Sequence, residues 1–86
     1  MSAIRLVTEI PGPKSKALLE RRKRAVMPGI ATMAPIFAAS GEGARLTDVD
    51  GNTFLDFASG IGVLAVGHAH PDVAAAAAAQ GKALTH

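Results

Sequence analysis

Five groups of residues have the types and spacing to do chemistry. Gly60-Ile61-Gly62-Val63-Leu64-Ala65 matches G-x-G-x-x-A, in which glycine backbone cradles a dinucleotide pyrophosphate at the start of a helix. Its surroundings argue against that use. The segment runs into Gly67 and Pro71 instead of opening a helix, and no acidic residue follows at about 20 positions to hold a ribose. A tight backbone loop accounts for it better. Asp48-Val49-Asp50-Gly51-Asn52 has the acidic spacing of a calcium loop, but such a loop needs glycine sixth and a bidentate glutamate twelfth. Here glycine is fourth and Ser59 is twelfth, and a hairpin turn explains the same residues. His68, His70 and His86 could ligate a metal, yet no nearby carboxylate or cysteine completes a tetrahedral set, so no metal site is expected. His70 reads as support for the start of the helix that follows it. Arg21-Arg22-Lys23-Arg24 could meet nucleic acid, but successive helical residues point about 100° apart and ring the helix. No aromatic residues interleave for base stacking, so no nucleic-acid partner is expected. Ser40, Ser59 and the histidines form no local nucleophile–base pair, and no catalytic residue is assigned.

The elements that would position these groups are short. Lys14 to Val26 is predicted helical, with Pro13 in its first turn, Leu18, Leu19, Ala25 and Val26 on an apolar side, and Pro28-Gly29 as its stop. Glu20 and Arg24 have the favourable i, i+4 order for an ion pair. A short strand fits Ile36–Ala39. Asp50-Gly51, taken as a two-residue type I′ turn, sets a hairpin in which Leu46 faces Leu55, Ala44 faces Phe57, Arg45 faces Asp56 and Thr47 faces Phe54. Residues 59–70 read as loop. Pro71 opens a second helix, with Asp72 near its positive end, Val73, Ala77, Gln80 and Leu84 at helical spacing and six alanines between 74 and 79.

Composition limits what this can be alone. Of 86 residues, 18 are alanine and none is cysteine, tryptophan or tyrosine. A chain this short buries a small share of its surface and lacks a disulfide or thiolate zinc staple. A large self-contained enzyme and a disulfide-rich secreted scaffold are excluded. The net charge of +2 is too small to argue for a polyanionic partner. No apolar run approaches the roughly 20 residues of a membrane span. Arg5 and Glu9 interrupt the opening stretch, which is therefore not read as a signal peptide, and a cytoplasmic setting is the default expectation.

Larger stretches carry a resemblance. Leu46-Thr47-Asp48-Val49-Asp50-Gly51-Asn52, Leu55-Asp56-Phe57, Ser59-Gly60-Ile61-Gly62-Val63 and Gly67-His68-Ala69-His70-Pro71, in this order, resemble the N-terminal region of class III pyridoxal-phosphate-dependent aminotransferases. The ending Gln80…Leu84-Thr85-His86 is similar too. Arg5-Leu6-Val7-Thr8-Glu9-Ile10-Pro11-Gly12-Pro13-Lys14-Ser15, with Leu18-Leu19 and Arg21-Arg22, narrows this to the 4-aminobutyrate branch.

The resemblance implies an α+β fragment from the N-terminal part of a fold-type I transferase. Residues 1–29 would be an arm and helix, 30–58 short strands and the hairpin, 59–70 a loop approaching the active site, and 71–86 the start of an alanine-rich helix. By the resemblance, Ile61 matches a residue that lines the substrate pocket and influences which amine is accepted. Glycines at 60 and 62 would let backbone approach a ligand. The full-length protein would be a homodimer using pyridoxal phosphate to move an amino group from a small amine to a 2-oxo acid. The motifs that bind the cofactor in the family lie beyond His86, and none of Lys14, Lys16, Lys23 or Lys82 sits in the matching context. The 86 residues alone are therefore expected to be catalytically incompetent. Gly62, where alanine is common, and Gly81, inside the last helix, depart from the family pattern. The alternatives are another class III aminotransferase of acetylornithine or ornithine type, or a small interaction module with a basic helix.

Overall fold

A computed structural model of the chain describes residues 3–30 and 34–85. The elements are α1 (Pro13–Ala25), β1 (Ala38–Glu42), β2 (Arg45–Asp48), β3 (Thr53–Leu55), a short turn labelled α2 (Ser59–Gly62) and α3 (Pro71–Gly81). The strands form one antiparallel sheet in the order β1-β2-β3. The expected α+β character is present.

Both long helices open with proline, where a missing N–H costs nothing. α1 ends at Ala25, before Pro28-Gly29, because Val26 is already extended (φ −109°, ψ 135°). Its last turn carries Arg22, Lys23 and Arg24 at the negative end of the helix dipole. The expected Glu20–Arg24 pair is not the one formed. Glu20 meets Lys23 at 3.1 Å, and both are well exposed, so the pair contributes little. Arg22 donates to the Ile30 carbonyl. Two of the four successive cations thus have a local partner, while Arg21, Lys23 and Arg24 remain exposed.

The hairpin forms where expected, but its register is one residue off. Arg45 faces Leu55, Leu46 faces Phe54 and Thr47 faces Thr53. A one-residue slip exchanges the faces of every side chain. The cause lies in the turn. Gly51 N–H donates to the Asp48 carbonyl (3.1 Å), and Asp48 N–H donates to the Asn52 carbonyl (2.9 Å). Gly51 alone is left-handed (φ 86°), whereas type I′ needs positive φ at Asp50 as well. Asp48 at the first position and Gly51 at the fourth fit a type I turn closed by a glycine bulge. The strand expected at Ile36–Ala39 begins at Ala38 and runs to Glu42. It returns into β2 through Gly43-Ala44, and its register shifts between Ala38 and Ser40.

The interior is polar. Among the described residues no hydrophobic side chain is buried, while Ser15, Asp48 and Asn52 are. Asn52 accepts the Val7 and Thr8 N–H groups on Oδ1 (2.6 and 2.9 Å). Its Nδ2 donates to Thr8 Oγ1 and Asp48 Oδ2 (2.7 and 3.1 Å). Asp48 Oδ1 accepts the Asp50 and Asn52 N–H groups, both at 2.9 Å. Asp50 then reaches α1, taking Lys14 N–H on Oδ1 (2.7 Å) and Ser15 N–H on Oδ2 (2.9 Å). The residue preceding α1, Gly12, has no side chain to cap with, so the hairpin turn supplies the cap. Desolvation alone would push the Asp50 carboxyl up, but the Ser15 and Lys14 N–H groups outweigh it and hold the pKa below the usual value. Arg5 adds a bridge to Thr53, donating and accepting at 2.9 and 2.6 Å. The arm, α1 and the hairpin are thus laced together by directional bonds across 35 to 48 residues of sequence.

Gly12 is fixed by this lacing. A Cβ there would lie 2.4 Å from Asp50 Cγ. Gly12→Ala is expected to displace the Asp50 cap and strip amide-exchange protection from Lys14 and Ser15. Gly29→Ala, where a Cβ meets nothing within 4 Å, should leave both amides protected.

Candidate functional site

The segment between Asp56 and His68 is tied at both ends to the Gly43-Ala44 turn. At its start, Asp56 N–H donates to the Ala44 carbonyl (2.8 Å). At its end, His68 donates its N–H to Gly43 (2.8 Å) and accepts the Gly43 N–H (3.0 Å). Gly67 precedes this bridge at φ 82°, and a Cβ on it would lie 2.7 Å from the Gly43 carbonyl oxygen. The side chains repeat the closure. Asp56 Oδ1 accepts the Ala58 and Ser59 N–H groups (2.9 and 3.0 Å), and Oδ2 meets His68 Nε2 at 2.6 Å. Asp56 therefore pairs with His68, not with Arg45 as the expected register required.

Between these ties the chain makes one left-handed turn. Ser59, Gly60, Ile61 and Gly62 all have positive φ (51°, 63°, 64° and 78°). Ser59 and Ile61 are not glycine, and each carries the cost that Cβ crowding imposes there, about 1–2 kcal/mol. The turn closes through Gly62 N–H to the Ala58 carbonyl (2.8 Å) and Val63 and Leu64 N–H to the Ser59 carbonyl (3.0 Å each). It presents Ile61 with 75% of its surface exposed. Behind it lies a cleft of about 430 Å³, lined by Gly43, Asp56, Ser59, Leu64, Gly67 and His68 among others. Ile61 is not in that lining.

The His68 hydrogen bond is the main influence on Asp56. It holds the carboxyl below the usual value, with help from the Ser59 and Ala58 N–H groups and against partial desolvation. A depressed folded pKa means that this contribution to stability is complete above the ordinary carboxylate range and is lost as pH falls through the lower folded value. Acidification to below the ordinary carboxylate range is therefore expected to release the Ala58 and Ser59 amides. Titration by NMR would show it, and in Asp56→Asn this acid-dependent release should disappear.

The other candidate residues are dispersed. His70 accepts Asp72 N–H on Nδ1 (3.2 Å) at the start of α3, as expected of a helix-supporting residue. His86 lies outside the described residues. No group of three His, Asp or Glu side chains could hold a metal among the described residues. The G-x-G-x-x-A stretch is the left-handed turn and not the mouth of a helix, and Asp48–Asn52 is the hairpin turn. Ser40 lies in β1 and Ser59 in the turn. Every residue of α3 is exposed. No described helix is long and apolar enough to cross a membrane. The Asp56–His68 pair has one local signal in the sequence, an Asp placed to accept N–H groups two and three residues on.

The class-III aminotransferase family model matches residues 26–86. The chain belongs to the class-III aminotransferase family. Over 82 residues it is 46% identical to the 4-aminobutyrate aminotransferase of Mycobacterium tuberculosis, covering 95% of this chain and 18% of that protein. Over 72 residues it is 49% identical to the Escherichia coli 4-aminobutyrate aminotransferase, covering 84% of this chain and 17% of the relative. The solved ornithine aminotransferase of Toxoplasma gondii, described with partial occupancy of PLP at its active site, superposes with a TM-score of 0.72 at 34% identity over 83% of this chain and 16% of that one. The chain thus spans about a fifth of the length of these family members. A family cofactor needs a lysine beside its aldehyde and converging donors for its phosphate. Lys14, Lys16, Lys23 and Lys82 are all exposed, and none lines the cleft at Asp56 and His68. The described residues do not fit the cofactor's holder.

Proposed function

We propose that this chain is the N-terminal part of a 4-aminobutyrate-type aminotransferase. The full-length protein would move the amino group of 4-aminobutyrate to a 2-oxo acid with pyridoxal phosphate bound by residues outside these 86, as a cytoplasmic homodimer. The observation that carries the reading is the 46% identity over 82 residues, which runs through the arm that the family model leaves unmatched. Within the chain, Ile61 would offer apolar surface to the aliphatic stretch of the amine, and Gly60 and Gly62 would let the backbone approach it. The 86 residues would shape one wall of the pocket and perform no bond-making step.

The acetylornithine or ornithine type is the second reading, favoured by the superposition on the Toxoplasma gondii enzyme. The test is to follow the reading frame past the His86 codon, express the uninterrupted frame and compare amines as donors. Turnover of 4-aminobutyrate above ornithine and N-acetylornithine supports the proposal. The reverse order supports the second reading. A stop codon at that point, or no transfer from any amine, overturns both.

A further inference from the structure

We propose that Asp56 and His68 act as a positioning clasp whose purpose is to aim the left-handed turn, and through Ile61 to set which amine is accepted. This rests on the reading of Ile61 as a substrate-pocket residue. The exposed Ile61 side chain has little packing to fix it, so its location follows from its backbone. That backbone is unfavourable for isoleucine and for Ser59, and such conformations persist where the surroundings over-determine them. One carboxylate does this at both ends. Its Oδ1 fixes the peptides entering the turn at Ala58 and Ser59, and its Oδ2 is anchored 12 residues later on His68. His68 can serve as the anchor because its main chain is doubly bonded to Gly43 and its ring lies against Gly41, where a Cβ would come within 2.7 Å of Cγ. Neither Asp56 nor His68 need touch the amine. Loosening their link would let Ile61 wander relative to whatever it faces.

The test uses the enzyme expressed from the uninterrupted reading frame and reads the ratio of kcat/KM for 4-aminobutyrate to that for ornithine. His68→Ala is expected to shift this ratio by about tenfold, the scale of a misplaced apolar contact. His68→Gln, which keeps an N–H within reach of Asp56, should restore most of the wild-type ratio. In an Ile61→Ala background, adding His68→Ala should move the ratio by less than about twofold, because no side chain remains to be aimed. If His68→Ala does not fold, Asp56→Asn carries the test, since it keeps Oδ1 for the two amides and alters only the bond to His68. An unchanged ratio, or an equal shift with and without Ile61, overturns the clasp while leaving the aminotransferase reading intact. A wild-type enzyme that transfers from no amine overturns the reading and the clasp with it.

Discussion

Asn52→Ala is expected to lower stability by about 3 kcal/mol, read as a fall in the urea midpoint of the protein that carries it. The loss comes from groups left behind. Val7 and Thr8 N–H lose their shared acceptor, and Asp48 Oδ2 and Thr8 Oγ1 lose a donor. Asn52 is fully buried and Asp48 nearly so, which leaves water poorly placed to replace these bonds. The arm from Ile4 to Glu9 should lose amide protection first. Asn52→Asp separates shape from charge. It keeps the acceptor for Val7 and Thr8 but sets a carboxylate against Asp48 where the amide now donates at 3.1 Å. Two carboxylates that close cannot both ionise cheaply, so the Asn52→Asp defect should shrink as pH falls. The Asn52→Ala defect should not. If Asn52→Ala unfolds at the wild-type midpoint, the polar lacing is not what holds the arm.

The second large effect is expected at Gly67. Gly67→Ala should cost about 2–4 kcal/mol, combining the penalty for a left-handed alanine with displacement of backbone. The new Cβ would sit 2.7 Å from the Gly43 carbonyl oxygen and 2.8 Å from its carbon, and neither is a flexible side-chain end. The two His68–Gly43 bonds would open, and the Asp56–His68 contact with them. Gly62→Ala is the matched control. Its φ of 78° is similarly left-handed, but a Cβ there meets nothing within 4 Å. It should lose about 1–2 kcal/mol, the conformational part alone. Equal losses at the two positions would show that the approach to Gly43 is unimportant. Chemical shifts of Gly43 and His68 amides would report the opening directly.

Elements set by local chemistry were legible in the sequence. Pro13 and Pro71 mark the starts of both long helices, and His70 supports the start of the second. The hairpin's location was legible as well, and its register was not. Asp50-Gly51 carries the stronger dipeptide signal, whereas Asp48 at the first turn position and Gly51 at the fourth spell the type I turn that forms. Asp48 wins because its carboxylate binds the Asp50 and Asn52 amides and gives Asn52 a buried partner. The polar interior could not be read from periodicity at all. Asn52 meets Val7 and Thr8 across about 45 positions, and neither side alone looks like half of a contact. Ile61 stands out only through resemblance and is exposed on the left-handed turn, whereas the Asp56–His68 closure spans a loop with no repeating pattern.

The cap on α1 has a consequence for the order in which the chain is made. Lys14 and Ser15 leave the ribosome long before Asp50, the residue that satisfies their N–H groups. At the usual pace of bacterial or eukaryotic translation the wait is about 2–7 s. A 13-residue helix is marginal in water without its cap, so the nascent segment would flicker between helix and coil until the hairpin emerges. Its lysines and arginines make that waiting segment strongly polar, so it exposes little apolar surface while the turn that fastens it is still being synthesised.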